Sequence, residues 1–100
     1  MNEEQLYEKL LSKEIAVCFS DIDAFRIFCG FLTSKGINHK QTIQYYWDKY
    51  GKKLSVTISD SGNFKCGTID FYQSDKGERR NIVLYDKKPY IVNILNDDIL

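Results

Sequence analysis

The sequence predicts a single α+β domain over residues 1–100: two helices packed on one face of a mostly antiparallel, five- to six-stranded sheet, with a β-meander after residue 40. Three observations carry that expectation. Apolar residues recur at helical spacing in the first 35 positions, they alternate with polar residues from position 54, and polar turn clusters punctuate the second half. A chain of 100 residues is also long enough to bury a core of its own.

Leu6, Tyr7, Leu10 and Leu11 fall on one helical stripe over residues 3–13, with Glu3 and Glu4 placed to complement the helix dipole. Residues 15–19 (Ile-Ala-Val-Cys-Phe) read as a short buried strand. Ser20 or Asp21 then caps a second helix that runs to Lys35 and stops at Gly36. Residues 41–50 fit two patterns. Ile43, Tyr46, Trp47 and Tyr50 make a helical stripe, whereas Ile43, Tyr45 and Trp47 make a strand face; the aromatic content and the following turn favour the strand.

Further on, Leu54, Val56 and Ile58 alternate with Ser55, Thr57 and Ser59. After the turn at 60–63, a strand is expected from Phe64 to Tyr72, with a β-bulge at Gly67 where the apolar parity changes. Strands at 81–85 and 90–95 follow, the latter preceded by Pro89, and the tail 96–100 reads as loop.

Composition narrows the function classes. With 43% hydrophobic and 28% charged residues the chain is globular rather than disordered. The longest apolar run of the second helix, residues 27–32, is far short of the roughly 20 residues of a membrane span, so no membrane partner is expected. Met1-Asn2-Glu3-Glu4-Gln5 is acidic where a secretory leader is basic, and Cys18, Cys29 and Cys66 are odd in number and widely spaced. Both features predict a cytoplasmic protein with free thiols. Formal net charge is zero, which disfavours nucleic acid as the main partner. Abundant Ile, Lys, Tyr and Asn with little Ala suggest an AT-rich genome, a low-GC bacterium or its phage.

No constellation specifies catalysis. The cysteines and His39 lack the short spacings of metal ligands, so neither a metal nor any other cofactor is expected. Cys29 lies mid-helix among Phe28, Phe31 and Leu32, where an apolar setting keeps a thiol protonated. Asp21 and Asp23 could hold a divalent cation in a metal-dependent enzyme, but capping of a helix N-terminus is the simpler role.

Two surfaces look made for contact. The apolar face of the second helix spans an arc of roughly 220° at ~100° per residue, more than one sheet needs, and places Ile27 and Phe31 farthest from Phe25 and Ile22. The first helix, a second copy of the chain pairing through helix 21–35, or a partner must cover the surplus. The other surface is a basic sheet end. In a meander the turns before residue 54 and before residue 81 share an end, gathering Tyr50, Lys52, Lys53, Arg79 and Arg80.

The expected function is therefore a non-catalytic protein-binding module that occupies a partner's surface, as an inhibitor or adaptor. In size and composition the chain resembles small accessory proteins of phages and mobile elements, a resemblance that no motif carries. The alternative is a nucleic-acid-associated protein using the basic end, with Tyr45, Tyr46 and Tyr50 as stacking groups.

Overall fold

A computed structural model of the chain describes residues 1–86 and 91–94. The elements run α1 (Glu3–Leu11), β1 (Ile15–Phe19), α2 (Ile22–Ser34), α3 (Ile43–Tyr50), a 3₁₀ turn (Gly51–Lys53), β2 (Leu54–Ile58), β3 (Phe64–Thr68), α4 (Ile69–Gln73), β4 (Asn81–Tyr85) and β5 (Ile91–Ile94). The strands lie in the order β3-β2-β1-β4-β5. β1 is antiparallel to β2 and parallel to β4, with Ile15 beside Asn81 and Phe19 beside Tyr85, so the sheet is mixed.

The α+β class holds; the layout does not. The expectation of two helices on one face of a mostly antiparallel, five- to six-stranded sheet with a meander after residue 40 is corrected on three counts. There are four α-helices among the described residues, the sheet is mixed, and both of its faces are covered. In the supposed meander β2 pairs with β3 and β4 with β5, each antiparallel, but β3 and β4 are not neighbours. The chain then crosses to the far side of β1, and β4 runs parallel to it.

The two faces follow from the pleat. Side chains alternate across a strand, so Ile15, Val17 and Phe19 of β1 meet α1, α2 and α3, while Ala16 and Cys18 meet α4. A central strand buried on both sides reads as a continuous apolar run, which is why residues 15–19 lack alternation. The larger core joins Leu6, Leu10, Phe25, Phe28 and Leu32 from the helices to Val56, Val83 and Tyr85. The smaller one holds Ala16, Cys18, Ile69, Tyr72 and Ile82.

The segment 41–50 holds a helix, α3, rather than the expected strand. Thr42 caps it, its Oγ1 accepting from Tyr45 N–H at 3.0 Å, and Gly51 ends it at φ +59°. Ile43, Tyr46, Trp47 and Tyr50, at i, i+3, i+4 and i+7, pack against the larger core. Packing of one side of that stripe against the core outweighs the strand preference of its aromatic residues.

The expected strand 64–72 ends at Thr68, and no bulge interrupts it. The register runs unbroken from Leu54 opposite Thr68 to Ile58 opposite Phe64. The change of apolar parity marks instead the start of α4, capped by Thr68 and burying Ile69 and Tyr72 three residues apart. Gly67 is small because the Tyr72 ring lies on it: a Cβ there would stand 3.1 Å from Tyr72 Cε2. Ser55 and Thr57, read as the solvent side of β2, are buried beneath α4, and Thr57 Oγ1 donates to Tyr72 OH at 2.9 Å. The expected turn at 86–88 and Pro89 fall largely, and the tail 96–100 wholly, outside the described residues.

Candidate binding surfaces

The basic sheet end does not assemble, because its premise was the meander. Lys52 and Lys53 precede β2 and so lie beside the end of β1, whereas Arg79 and Arg80 precede β4 and lie beside its start. The two dibasic pairs are thus at opposite ends of the central strands. They also differ in state. Arg80 is buried, its side chain 4% exposed, with Nη1 donating to Ile15 O at 3.1 Å and Nη2 to Glu78 Oε1 at 3.0 Å. Arg79 is exposed and pairs with Asp75. Lys53 lies 3.5 Å from Asp70, and Lys52 is exposed.

On α2 the two candidates also part. Phe31 is partly covered by α1, its ring meeting Tyr7 edge-on at 6.3 Å, and Lys35 Nζ sits 5.5 Å and 5.7 Å from the centroids of the Tyr7 and Phe31 rings. Ile27 stays 46% exposed. Most of the surplus apolar arc is absorbed within the monomer, because α1 and α3 both pack against the core that α2 enters.

Asp21 caps α2, accepting from Ala24 N–H at 2.9 Å, and Asp23 pairs with Arg26 at 2.6 Å. Both carboxylates therefore have local structural work. Among the described residues, no three His, Cys, Asp or Glu side chains group so as to hold a metal ion. Cys18, Cys29 and Cys66 are free; burial pushes the first two thiols up to about 12 and raises the third as well. All three are neutral thiols near neutrality, poor nucleophiles for covalent chemistry.

Sequence reasoning named Tyr45, Tyr46 and Tyr50 as stacking groups but, by reading a strand, missed the helical surface that α3 makes of them with Ile43 and Trp47. None of the eight residues of this helix is buried, although five of them are large and apolar or aromatic. Tyr45 is 46% exposed, while Ile43, Tyr46, Trp47 and Tyr50 keep part of their surface open. The surface is ordered. Tyr46 OH accepts from Lys40 N–H and Gln41 N–H, and its ring lies 5.4 Å from Phe64 and 5.7 Å from Tyr45. His39 closes the group edge-on to Phe64 at 5.9 Å. Lys49 Nζ sits 5.4 Å from the Tyr50 centroid and 5.9 Å from that of Tyr45. The signal was present as the stripe Ile43, Tyr46, Trp47 and Tyr50 with Tyr45 left over, but it needed the helical reading to be seen.

A concave feature lies on the opposite sheet face. Between α4, the 74–80 loop and the β2–β3 hairpin there is a cleft of about 270 Å³, lined by residues that include Lys13, Lys65, Lys76, Arg80, Phe71 and Tyr72.

No protein-family model matches this chain, and neither the curated proteins nor the solved structures contain a match to it. Among the described residues no helix is long and apolar enough to cross a membrane.

Proposed function

We propose that the protein is a non-catalytic binding module that uses α3 to occupy a protein partner, as an inhibitor or adaptor in the cytoplasm. The observation that carries this reading is a helix with five large apolar or aromatic residues and none of them buried. Tyr and Trp contribute most to interface energies because they bring large, stiff, amphipathic area at little cost in side-chain entropy. Tyr45, Trp47 and Tyr50 supply that area here. Lys40, Lys49 and Lys52 are exposed around it, so the partner surface that fits is apolar at its centre and acidic at its rim. Tyr50, Lys52 and Lys53 thus keep a binding role in this proposal, through α3 rather than through a shared sheet end. Three free thiols support a reducing compartment, and the AT-rich composition is in keeping with a phage or mobile-element origin.

Affinity capture from cells of the source organism tests the proposal, with the wild type, a Tyr45→Ser/Lys49→Glu variant and an Ile27→Ser variant as baits. A protein retained by the wild type and by Ile27→Ser, and lost by the α3 variant, is the expected result. Capture that ignores the α3 changes refutes it. Moderate salt is expected to weaken the complex without abolishing it, because the lysine rim is screened over about 8 Å while the apolar centre is not.

A further inference from the structure

We propose that the cleft on the α4 face binds a small phosphomonoester with a flat organic body, of the size of a nucleoside monophosphate. Its walls hold four cations (Lys13, Lys65, Lys76 and Arg80) and two carboxylates, Asp60 and Glu78. The carboxylates are already engaged. Lys13 Nζ lies 2.5 Å from Asp60 and 3.7 Å from Glu78, and Arg80 Nη2 lies 3.0 Å from Glu78. Lys65 and Lys76 are exposed and make no ion pair among the described residues. The cleft therefore carries two uncompensated positive charges, which matches the charge of about −1.5 to −2 on a phosphomonoester near neutrality.

The type of cation favours phosphate over carboxylate. A guanidinium fork recognises a carboxylate with two parallel bonds, but the terminal nitrogens of Arg80 are spent on Ile15 O and Glu78. Arg80 is a fixed, buried charge in the wall, and its Nε has no partner. The two ammonium groups left free are compact point charges with rotatable donors, suited to phosphate oxygens. Phe71 supplies the apolar wall. It is 47% exposed while its neighbours Tyr72 and Ile69 are buried, and its ring stands edge-on to Tyr72 at 5.2 Å. An exposed ring beside a cationic cleft is a stacking platform for a flat body.

The backbone of the rim points the same way. Of the lining residues, Lys13 and Glu78 adopt positive φ of 65° and 71°, a region that residues with a Cβ rarely occupy. Lys13 occupies the position after α1 where glycine would sit unstrained, with Glu14 N–H closing on Lys9 O at 3.0 Å. A volume of about 270 Å³ falls just below the roughly 300–1,000 Å³ of drug-sized sites, which limits the ligand to a small molecule.

Calorimetric titration with adenosine monophosphate, adenosine and inorganic phosphate tests the assignment on the full chain. The wild type is expected to bind the nucleotide saturably at one site, at least tenfold more tightly than either fragment. Lys65→Glu/Lys76→Glu is expected to lose at least tenfold, while Lys9→Glu/Lys35→Glu, the same charge change away from the cleft, binds as the wild type does. Phe71→Ser should weaken the nucleotide and leave phosphate unchanged. On the unmodified protein, the nucleotide should protect Lys65 and Lys76, but not Lys40 and Lys52, from acetylation read by mass spectrometry. Absence of saturable binding, an equal loss in both lysine variants, or protection that does not single out Lys65 and Lys76 overturns the proposal. Phosphate binding as tightly as the nucleotide overturns the role of Phe71.

Discussion

Phe25→Ala probes the joint between α3 and the rest of the molecule. The Phe25 ring is fully buried, 5.1 Å from Phe19 in β1, 6.1 Å from Tyr46 and stacked on Trp47 at 6.3 Å. Truncation of a buried phenylalanine costs about 3–5 kcal/mol, from lost transfer energy and the residual cavity. Three lost ring pairs, each worth about 0.5–1.5 kcal/mol beyond burial, place this case in the upper half of that range. A domain of this size has about 5–15 kcal/mol of stability in all, so the loss is severe and survivable. With a urea dependence of about 2 kcal/mol per molar, a loss of ~4 kcal/mol lowers the denaturation midpoint by about 2 M. Trp47 is the sole tryptophan of the chain, so its fluorescence reports the α3 joint while far-UV circular dichroism reports the whole fold. Both signals should shift together, and the native emission of Trp47 should move to the red as its ring is exposed. Phe25→Leu, which keeps most of the volume, should lose less than about 1.5 kcal/mol and keeps the comparison readable if the alanine variant does not fold. A midpoint that falls by less than about 0.5 M would show that α3 does not rest on Phe25.

Other outcomes follow from the opposite face and from the thiols. Tyr72→Phe leaves the Thr57 hydroxyl buried without its partner and should cost about 1–3 kcal/mol; adding Thr57→Val should recover part of it, and strict additivity in a double-mutant cycle would refute the coupling. Gly77→Ala should lower the melting temperature by several degrees, because its Cβ would collide with the Phe71 carbonyl oxygen and stand 2.5 Å from Tyr72 Cα; an unchanged melting curve would contradict that packing. Arg79→Glu should be tolerated within about 0.5 kcal/mol, whereas Arg80→Glu puts a carboxylate against Ile15 O and should prevent folding, as circular dichroism of the two variants would show. Cys18 and Cys29 ionise near 9 when unfolded and only near 12 when folded, so the native state holds the extra protons. Stability is therefore full below pH 9 and declines between 9 and 12, and Cys18→Ala/Cys29→Ala should flatten that decline in urea titrations at several pH values.

The parts of the fold that were legible in the sequence are those specified by local pattern. The stripe Leu6, Leu10, the N-cap of α2 at Asp21 and its stop at Gly36, and the apolar run 15–19 each sit where the residues indicated. What escaped is what depends on partners distant along the chain. Residues 41–50 satisfied both periods, and only contact with Phe25 and the core selects the helix. α4 is five residues long, too short to show a helical period, so its start was legible only as a change of parity. Ser55 and Thr57 had the look of a solvent face, because nothing near them in sequence reveals the Tyr72 hydroxyl that meets Thr57. The binding surfaces shared this fate: the basic turns were placed together by an assumed meander, and the cleft gathers Lys13, Lys65 and Lys76 from three separate segments.

The parallel pairing of β1 with β4 has a consequence for how the protein is made. Ile15 and Asn81 are partners, so the central strand waits for the last quarter of the chain before both its edges are satisfied. At about 5–20 residues per second, the ribosome adds the intervening segment over roughly 3–13 s. During that interval β1 can pair with β2, but the five apolar residues of its other edge have no native neighbour. A nascent chain in that state presents a sticky strand to its surroundings, and slow decoding late in the message would prolong it. Synonymous changes in the codons for β4 are then expected to alter the soluble yield, although they leave every contact of the finished protein untouched.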